Sequence, residues 1–370
     1  PLLVAAGYLL TVVGARWYTC EAPLDKQTAQ VLLVQFALFC AVSLMDLAVF
    51  PADLIVAVLA TSYTYIVLIR GQKYRHVDMS GKVVIVTGSN TGIGLETARE
   101  IARMGADVVL ACRTKWKGEA AVEEILKSVK PSKSQTVKFL QCDLGSKESI
   151  EKFVAEFNKL KLPLHVLINN AGMMSHKRRV SSDGIEMTFQ ANYLGPFYLT
   201  ELLLKNMKAT KGESRIINVN SSLHFLTKAI RFDDPEFTTD YEMFRVYSHS
   251  KLAGMLFTAE LARRLKLEGA NISVNSLHPG LVMTEVTRNM HWLMRYAELA
   301  VLPFMYLVRK TAPQGAYTSI HVATSPALAG VTGKYFVHCQ PVACSSVVDD
   351  EKVAERLWKM SKDMLIPDEK

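Results

Sequence analysis

The sequence is poor in the features that would make it a covalently or metal-cross-linked scaffold. Its six cysteines, at positions 20, 40, 112, 142, 339 and 344, show no metal-ligand spacing with suitable histidines and trace no disulfide framework. Reduced thiols packed in an interior are the reading they support, and no metal is expected. Repeats and low-complexity tracts are also missing, so the body is not a repeat array or a linker-dominated chain. The formal net charge of +8 is spread along the chain, and the longest basic run is only Lys177-Arg178-Arg179. Nucleic-acid binding needs such charge concentrated on one face, so no nucleic-acid partner is expected.

Apolar residues are abundant, at 49%, and their excess lies before residue 71. Val31–Phe50 is long enough to cross a bilayer and carries one acid, Asp46. Ala52–Ile69 is a second such run with Asp53 at its edge, while Leu2–Val13 is short for a span. Arg70, Lys73, Arg75 and Lys82 follow the last run, whereas the Pro51-Ala52-Asp53 connector has no base. The positive-inside rule then places the remainder in the cytosol. The expected organisation is 1–70 membrane-anchoring segments, 71–80 a polar linker, and 81–370 a catalytic domain ending in a short tail, Asp363–Lys370.

From Gly81 onward short aliphatic runs alternate with amphipathic stretches. Val83–Val86, Val108–Ala111, Val137–Leu140, Val166–Ile168, Ile216–Val219 and Ile272–Leu277 read as strands. Gly94–Met104, Lys117–Val129 and Ile150–Leu160 read as helices between them. Continuous apolar strands alternating with helices predict a parallel sheet covered on both faces. A glycine-rich turn, Thr87-Gly88-Ser89-Asn90-Thr91-Gly92-Ile93-Gly94, follows the first strand and opens the first helix. Such a turn lets backbone N–H groups and a helix dipole approach a pyrophosphate. The fold class is therefore α/β, a Rossmann-like doubly wound parallel sheet behind an N-terminal membrane-anchoring helical segment. At the end of the second strand stands Arg113, with no carboxylate nearby and with Lys115 and Lys117 following. An acid there would grip the ribose 2′-hydroxyl of NAD; an arginine pairs with a 2′-phosphate, so the expected cofactor is NADP(H).

Tyr247 and Lys251 lie one helical turn apart in Y-S-H-S-K, and Ser222 ends the run R-I-I-N-V-N-S-S. Lowering a phenol from its ordinary pKa of about 10 by three units takes roughly 4 kcal/mol. A unit charge about 4 Å away at an effective dielectric near 20 supplies about that much. Lys251 is placed to be that charge, and Ser222 to give a hydroxyl donor to a substrate oxygen. His224, two residues on, reads as a pocket-wall histidine.

These residues resemble the short-chain dehydrogenase/reductase family over Gly81 to Phe336. T-G-S-N-T-G-I-G is similar to its cofactor turn, and C-D-L, with Asp143 and Leu144, to its adenine-contacting segment. Asn169-Asn170-Ala171-Gly172 resembles its N-N-A-G motif, which supports the sheet beside the cofactor. Asn192 stands where the family's helix asparagine holds a relay water; Ser222, Tyr247 and Lys251 match the remaining catalytic positions. His278-Pro279-Gly280 and Thr284 resemble the segment that meets the nicotinamide end. V-V-L-A-C-R, Y-S-H-S-K-L-A and G-K-Y-F add a likeness to membrane-anchored retinol dehydrogenase-like members. That likeness implies NADP(H), an endoplasmic-reticulum or lipid-droplet surface, and a lipophilic alcohol–carbonyl pair as substrate. Retinal/retinol is the first expectation; a steroid, a polyprenol-type aldehyde or a fatty aldehyde is the alternative. The stretch Leu281–Lys310, with Met290, Trp292, Leu293 and Tyr296, corresponds to the family's substrate cover. A homodimer through the helices carrying Asn192 and Tyr247 is a further implication. Intact Ser222, Tyr247 and Lys251 argue against a non-catalytic scaffold.

Overall fold

The computed structural model describes residues 74–129, 135–280, 282 and 310–365. The apolar runs 2–13, 31–50 and 52–69, Thr284 and the expected substrate cover from 283 to 309 lie outside the described residues. Among the described residues no helix is long and apolar enough to cross a membrane.

Six expected strands form as β1 (Val83–Thr87), β2 (Asp107–Cys112), β3 (Val137–Gln141), β4 (Val166–Asn169), β5 (Ser214–Val219) and β6 (Ile272–His278). Two more, β7 (Tyr335–Val337) and β8 (Gln340–Val342), complete the sheet. Its order is β3-β2-β1-β4-β5-β6-β7-β8. Every pairing is parallel except the last, between β7 and β8. The chain winds outward from β1 to β3, then returns to place β4 on the other side of β1. That reversal opens a crevice at the carboxyl ends of β1 and β4, where ligands of doubly wound sheets bind.

The connecting helices are α1 (Gly92–Arg103), α2 (Lys115–Val129), α3 (Lys147–Lys159), α4 (Gly195–Ala209), α5 (Met243–Leu267), α6 (Ala312–Thr324) and α7 (Glu351–Leu365). One face of the sheet packs α1, α2 and α6, through Ile101, Ile125 and Ile320. The opposite face packs α3, α4, α5 and α7, through Phe153, Phe197, Leu256 and Leu357. Being covered twice explains why β1 and β4 are buried at every position and read as unbroken apolar runs. The expected tail is partly helical, because α7 continues to Leu365. The polar run before the body is docked on it: Met79 donates its N–H to Met104 O at 2.7 Å, and the Tyr74 ring meets Tyr317.

Candidate active site

All the described candidate residues stand at or near the carboxyl ends of the strands, because each strand ends where its loop begins. After β1 the chain turns sharply: Gly88 and Gly92 have φ of 63° and 58°, a region that costs little only for glycine. The turn is also too tight for side chains. A Cβ on Gly94 would stand 2.4 Å from Gly88 O and from Asn170 Nδ2. Thr87 Oγ1 accepts from Asn170 N at 2.9 Å and Ala171 N at 3.0 Å, and Asn170 Nδ2 donates to Thr87 O at 2.9 Å. The β4 loop is thus tied to the β1 turn. This backbone cradle fits a dinucleotide pyrophosphate, whose approach a Cβ would block.

Within the turn Ser89 points inward. Its side chain is fully buried and donates to Val86 O at 2.8 Å, so the hydroxyl is turned away from a ligand. Thr91 caps α1 with extended backbone, Asn90 lies partly buried between them, and Ile93 comes close to Gly315 of α6. Arg113, at the end of β2, is exposed, and its carbonyl accepts from Gln141 Nε2. Asp143 uses Oδ1 to accept from Gly145 N at 2.9 Å, which shapes the turn after β3; Leu144 is buried against Gly195. Gly172 lies between Asn192 and Lys251: a Cβ there would be 3.5 Å from Asn192 Oδ1 and from Lys251 Nζ.

Asn192 sits on a π-helical turn, Gln190–Leu194, that runs into α4. Its amide donates to Met173 O at 2.9 Å and to Ser250 Oγ at 3.0 Å, and accepts from Met173 N at 2.7 Å. The side chain therefore clamps the β4 loop to α5. Tyr247 and Lys251 lie on α5, one turn apart and both buried.

Here two serines follow β5 side by side, and the structure departs from one expectation. The Ser221 hydroxyl lies near enough to the Tyr247 phenol to oppose the upward push of burial, and its Oγ accepts from Leu223 N at 3.2 Å. Ser222 instead places its Oγ 3.5 Å from His278 Nε2. The chain stays extended through Ser221, at φ −145° and ψ 149°, and turns helical at Ser222, with the Ser221 side chain capping that turn. The departure concerns acidity. Burial pushes Tyr247 up to about 12, opposed only in part by the Ser221 hydroxyl. Burial also pushes Lys251 down to about 8. Its ammonium donates to Val219 O at 3.0 Å and stands 5.6 Å from the Tyr247 ring centroid, so the protein's own groups do not acidify the phenol.

His224 is fully buried, and its Nδ1 donates to Ser221 O at 2.7 Å, so the imidazole buttresses the serine loop. Pro279 is buried and Gly280 has φ 93°. Against Gly280 lies a residue the motifs did not reveal as part of the site. Lys310 is buried, meets His338 Nδ1 at 2.9 Å, and is pushed down by burial to about 8. The bridge between Val282 and Lys310 brings it there, across a long separation in sequence that no local signal announces.

A sequence profile described as short chain dehydrogenase matches residues 82–292. The chain belongs to the short chain dehydrogenase family. Within it, the chain is 41% identical over 322 residues to retinol dehydrogenase 12 of Mus musculus, covering 84% of this chain and 98% of the relative. It is 39% identical over 286 residues to polyprenol dehydrogenase of Homo sapiens, covering 76% and 84%. Among solved folds, a protein from Mycobacterium paratuberculosis aligns with a TM-score of 0.63 at 28% identity, over 80% of this chain and 96% of its own. L-sorbose reductase of Gluconobacter frateurii, solved with NADPH and L-sorbose, aligns with a TM-score of 0.56 at 22% identity, over 71% and 96%, a likeness of fold. The likeness to retinol dehydrogenases expected from the motifs is thereby shown.

Proposed function

We propose that this short chain dehydrogenase is an NADP(H)-dependent oxidoreductase that interconverts a lipophilic alcohol and its aldehyde or ketone, with retinal/retinol as the leading pair. The observation that carries the reading is the assembly of Ser221, Tyr247 and Lys251 beside the crevice whose turn fits a dinucleotide. When bound, the nicotinamide supplies or accepts the hydride.

The chain's own residues handle the oxygen and its proton. The Ser221 hydroxyl donates to the substrate oxygen, where negative charge develops. Tyr247, kept protonated by burial up to about 12, gives its proton to that oxygen as the carbonyl becomes an alcohol. Lys251 fixes the end of β5 through Val219 O and sets a positive charge near the phenol. A phenol this weakly acidic supports carbonyl reduction near neutral pH. Oxidation of an alcohol requires its ionised form, and so needs added positive charge.

NADP(H) rather than NAD(H) is supported by exposed Arg113, Lys115 and Trp116 and half-buried Lys117 around an end of β2 that has no carboxylate of its own. The lipophilic substrate is supported by the names of the retinol and polyprenol relatives and by the apolar character of Leu281–Lys310. The polyprenol relative favours a polyprenol-type aldehyde as the second reading. Anchorage by the runs at 31–50 and 52–69 would put the domain on the cytosolic face of an endoplasmic-reticulum or lipid-droplet membrane.

The test is a panel of retinal, steroid ketones, polyprenal and long-chain aldehydes with NADPH and NADH, using full-length protein in membranes. Retinal turnover with NADPH at least about tenfold above NADH, and loss of that preference in Arg113→Ala, are the expected results. Turnover of none of the panel would overturn the reading.

A further inference from the structure

Behind the catalytic lysine the sheet face carries an unusual layer of amides. Asn169 of β4 and Asn218 of β5 are register partners. Asn169 Nδ2 donates to Asn218 Oδ1 at 2.9 Å and to Thr200 Oγ1 on α4 at 3.0 Å. Asn218 Nδ2 donates to Thr258 Oγ1 on α5 at 2.9 Å. Both threonine hydroxyls spend their own protons on carbonyls one turn back, Pro196 O and Gly254 O. Each side-chain nitrogen and hydroxyl of the network thus finds an acceptor, and one amide oxygen is left over. Asn169, only 4% exposed, has Oδ1 buried without a protein partner.

Beside this layer is a small hollow of about 10 Å³, lined by Asn169, Asn192, Asn218, Val219, Asn220 and Gly254 among others. That volume is at the lower limit of what one water needs, and a buried water is stable where polar groups converge. The hollow exists because residue 254 is glycine: a Cβ there would stand 2.6 Å from Asn220 Oδ1. The Asn220 amide supplies a second polar partner; its Nδ2 otherwise reaches only the soft Met255 Sδ, at 3.5 Å. The residues round the hollow are those that aim the reaction. Val219 O holds Lys251 Nζ, and two residues after Val219 comes Ser221.

We propose that this hollow binds one structural water, donating to Asn169 Oδ1 and held by Asn220, which pegs the end of β5 and so positions Lys251 and Ser221. Asn169, Asn220 and Gly254 are then positioning residues that act through that water. The kinetic part of this inference rests on the proposed reductase reading; the water itself does not.

A high-resolution crystal structure of the full chain with NADPH should show one ordered water within hydrogen-bond distance of Asn169 Oδ1. Gly254→Ala should displace it. A shift of this kind in the positioning of reacting groups lowers kcat by about tenfold to a hundredfold. NADPH affinity should stay within about twofold, since the cradle is elsewhere, while the alkaline limb of the kcat profile moves. Asn220→Ser added to Gly254→Ala makes room again and should restore both water and rate. If Gly254→Ala does not fold, Asn220→Leu fills the hollow from the strand side and is read in the same way. A dry hollow in the wild-type crystal overturns the proposal, as does a variant that loses the water with kcat and pH profile unchanged. Protein that holds the water and binds NADPH yet reduces no carbonyl refutes the reductase reading alone.

Discussion

The two halves of the crevice reach their order by opposite means. On the β1 side the working surface is main chain: a turn at Gly88–Gly94, strapped to the β4 loop by Thr87 and Asn170, with no space for added carbon. On the β5 side it is made of side chains held at their far ends, Lys251 by Val219 O and Asn192 by Met173. A backbone cradle suits a ligand that is the same in every turnover. Side chains suit a reaction in which a proton must change hands.

That contrast predicts separable defects. Tyr247→Phe should cut reductive kcat by about 10³-fold, in the range expected for loss of a general acid. Its NADPH dissociation constant, read by fluorescence titration, should stay near wild type. Gly94→Ala should do the reverse, weakening NADPH binding by about tenfold or more, because Gly88 O or Asn170 must give way. Equal loss of binding and turnover in both variants would break the distinction.

Within the catalytic half, Ser221→Ala should lower kcat by about 10²-fold, the cost of one donor to a developing oxyanion. Ser222→Ala should change it by less than about threefold, since a hydroxyl at 3.5 Å from His278 contributes little. The reverse order would return the role to Ser222.

The smallest effect concerns pH. Lys251 keeps its proton below about 8 and loses it above, whereas Tyr247 stays protonated up to about 12. Reductive kcat should therefore hold at lower pH and fall as pH rises through about 8, with the loss of the ammonium. Lys251→Arg, a cation over this whole range, should abolish that limb in whatever activity remains. A limb that survives the substitution belongs to another group, and buried Lys310 is the first to examine.

Much of this was written in the sequence because parallel strands covered on both sides must be continuously apolar. Six of eight strands announce themselves so, and the glycine turn shows because its glycines are sterically required. β7 and β8 are three residues each, too short to carry a pattern. Ser221 and Ser222 are identical neighbours, distinguished only by where the extended backbone ends. Helical spacing rightly put Lys251 on the face of Tyr247. It could not show that the amine would be claimed by a carbonyl of β5, nor that burial would outweigh its charge. Ser89 follows the same rule: its place in the motif is legible, and its inward turn toward Val86 O is not.

The far edge of the sheet has its own consequence. β8 is exposed at Gln340 and Pro341, and a proline has no N–H to offer an incoming strand. Foreign chains, including unfolded copies of this one, are thus denied a template on that rim. That border is therefore a poor starting point for strand-by-strand fibrous growth.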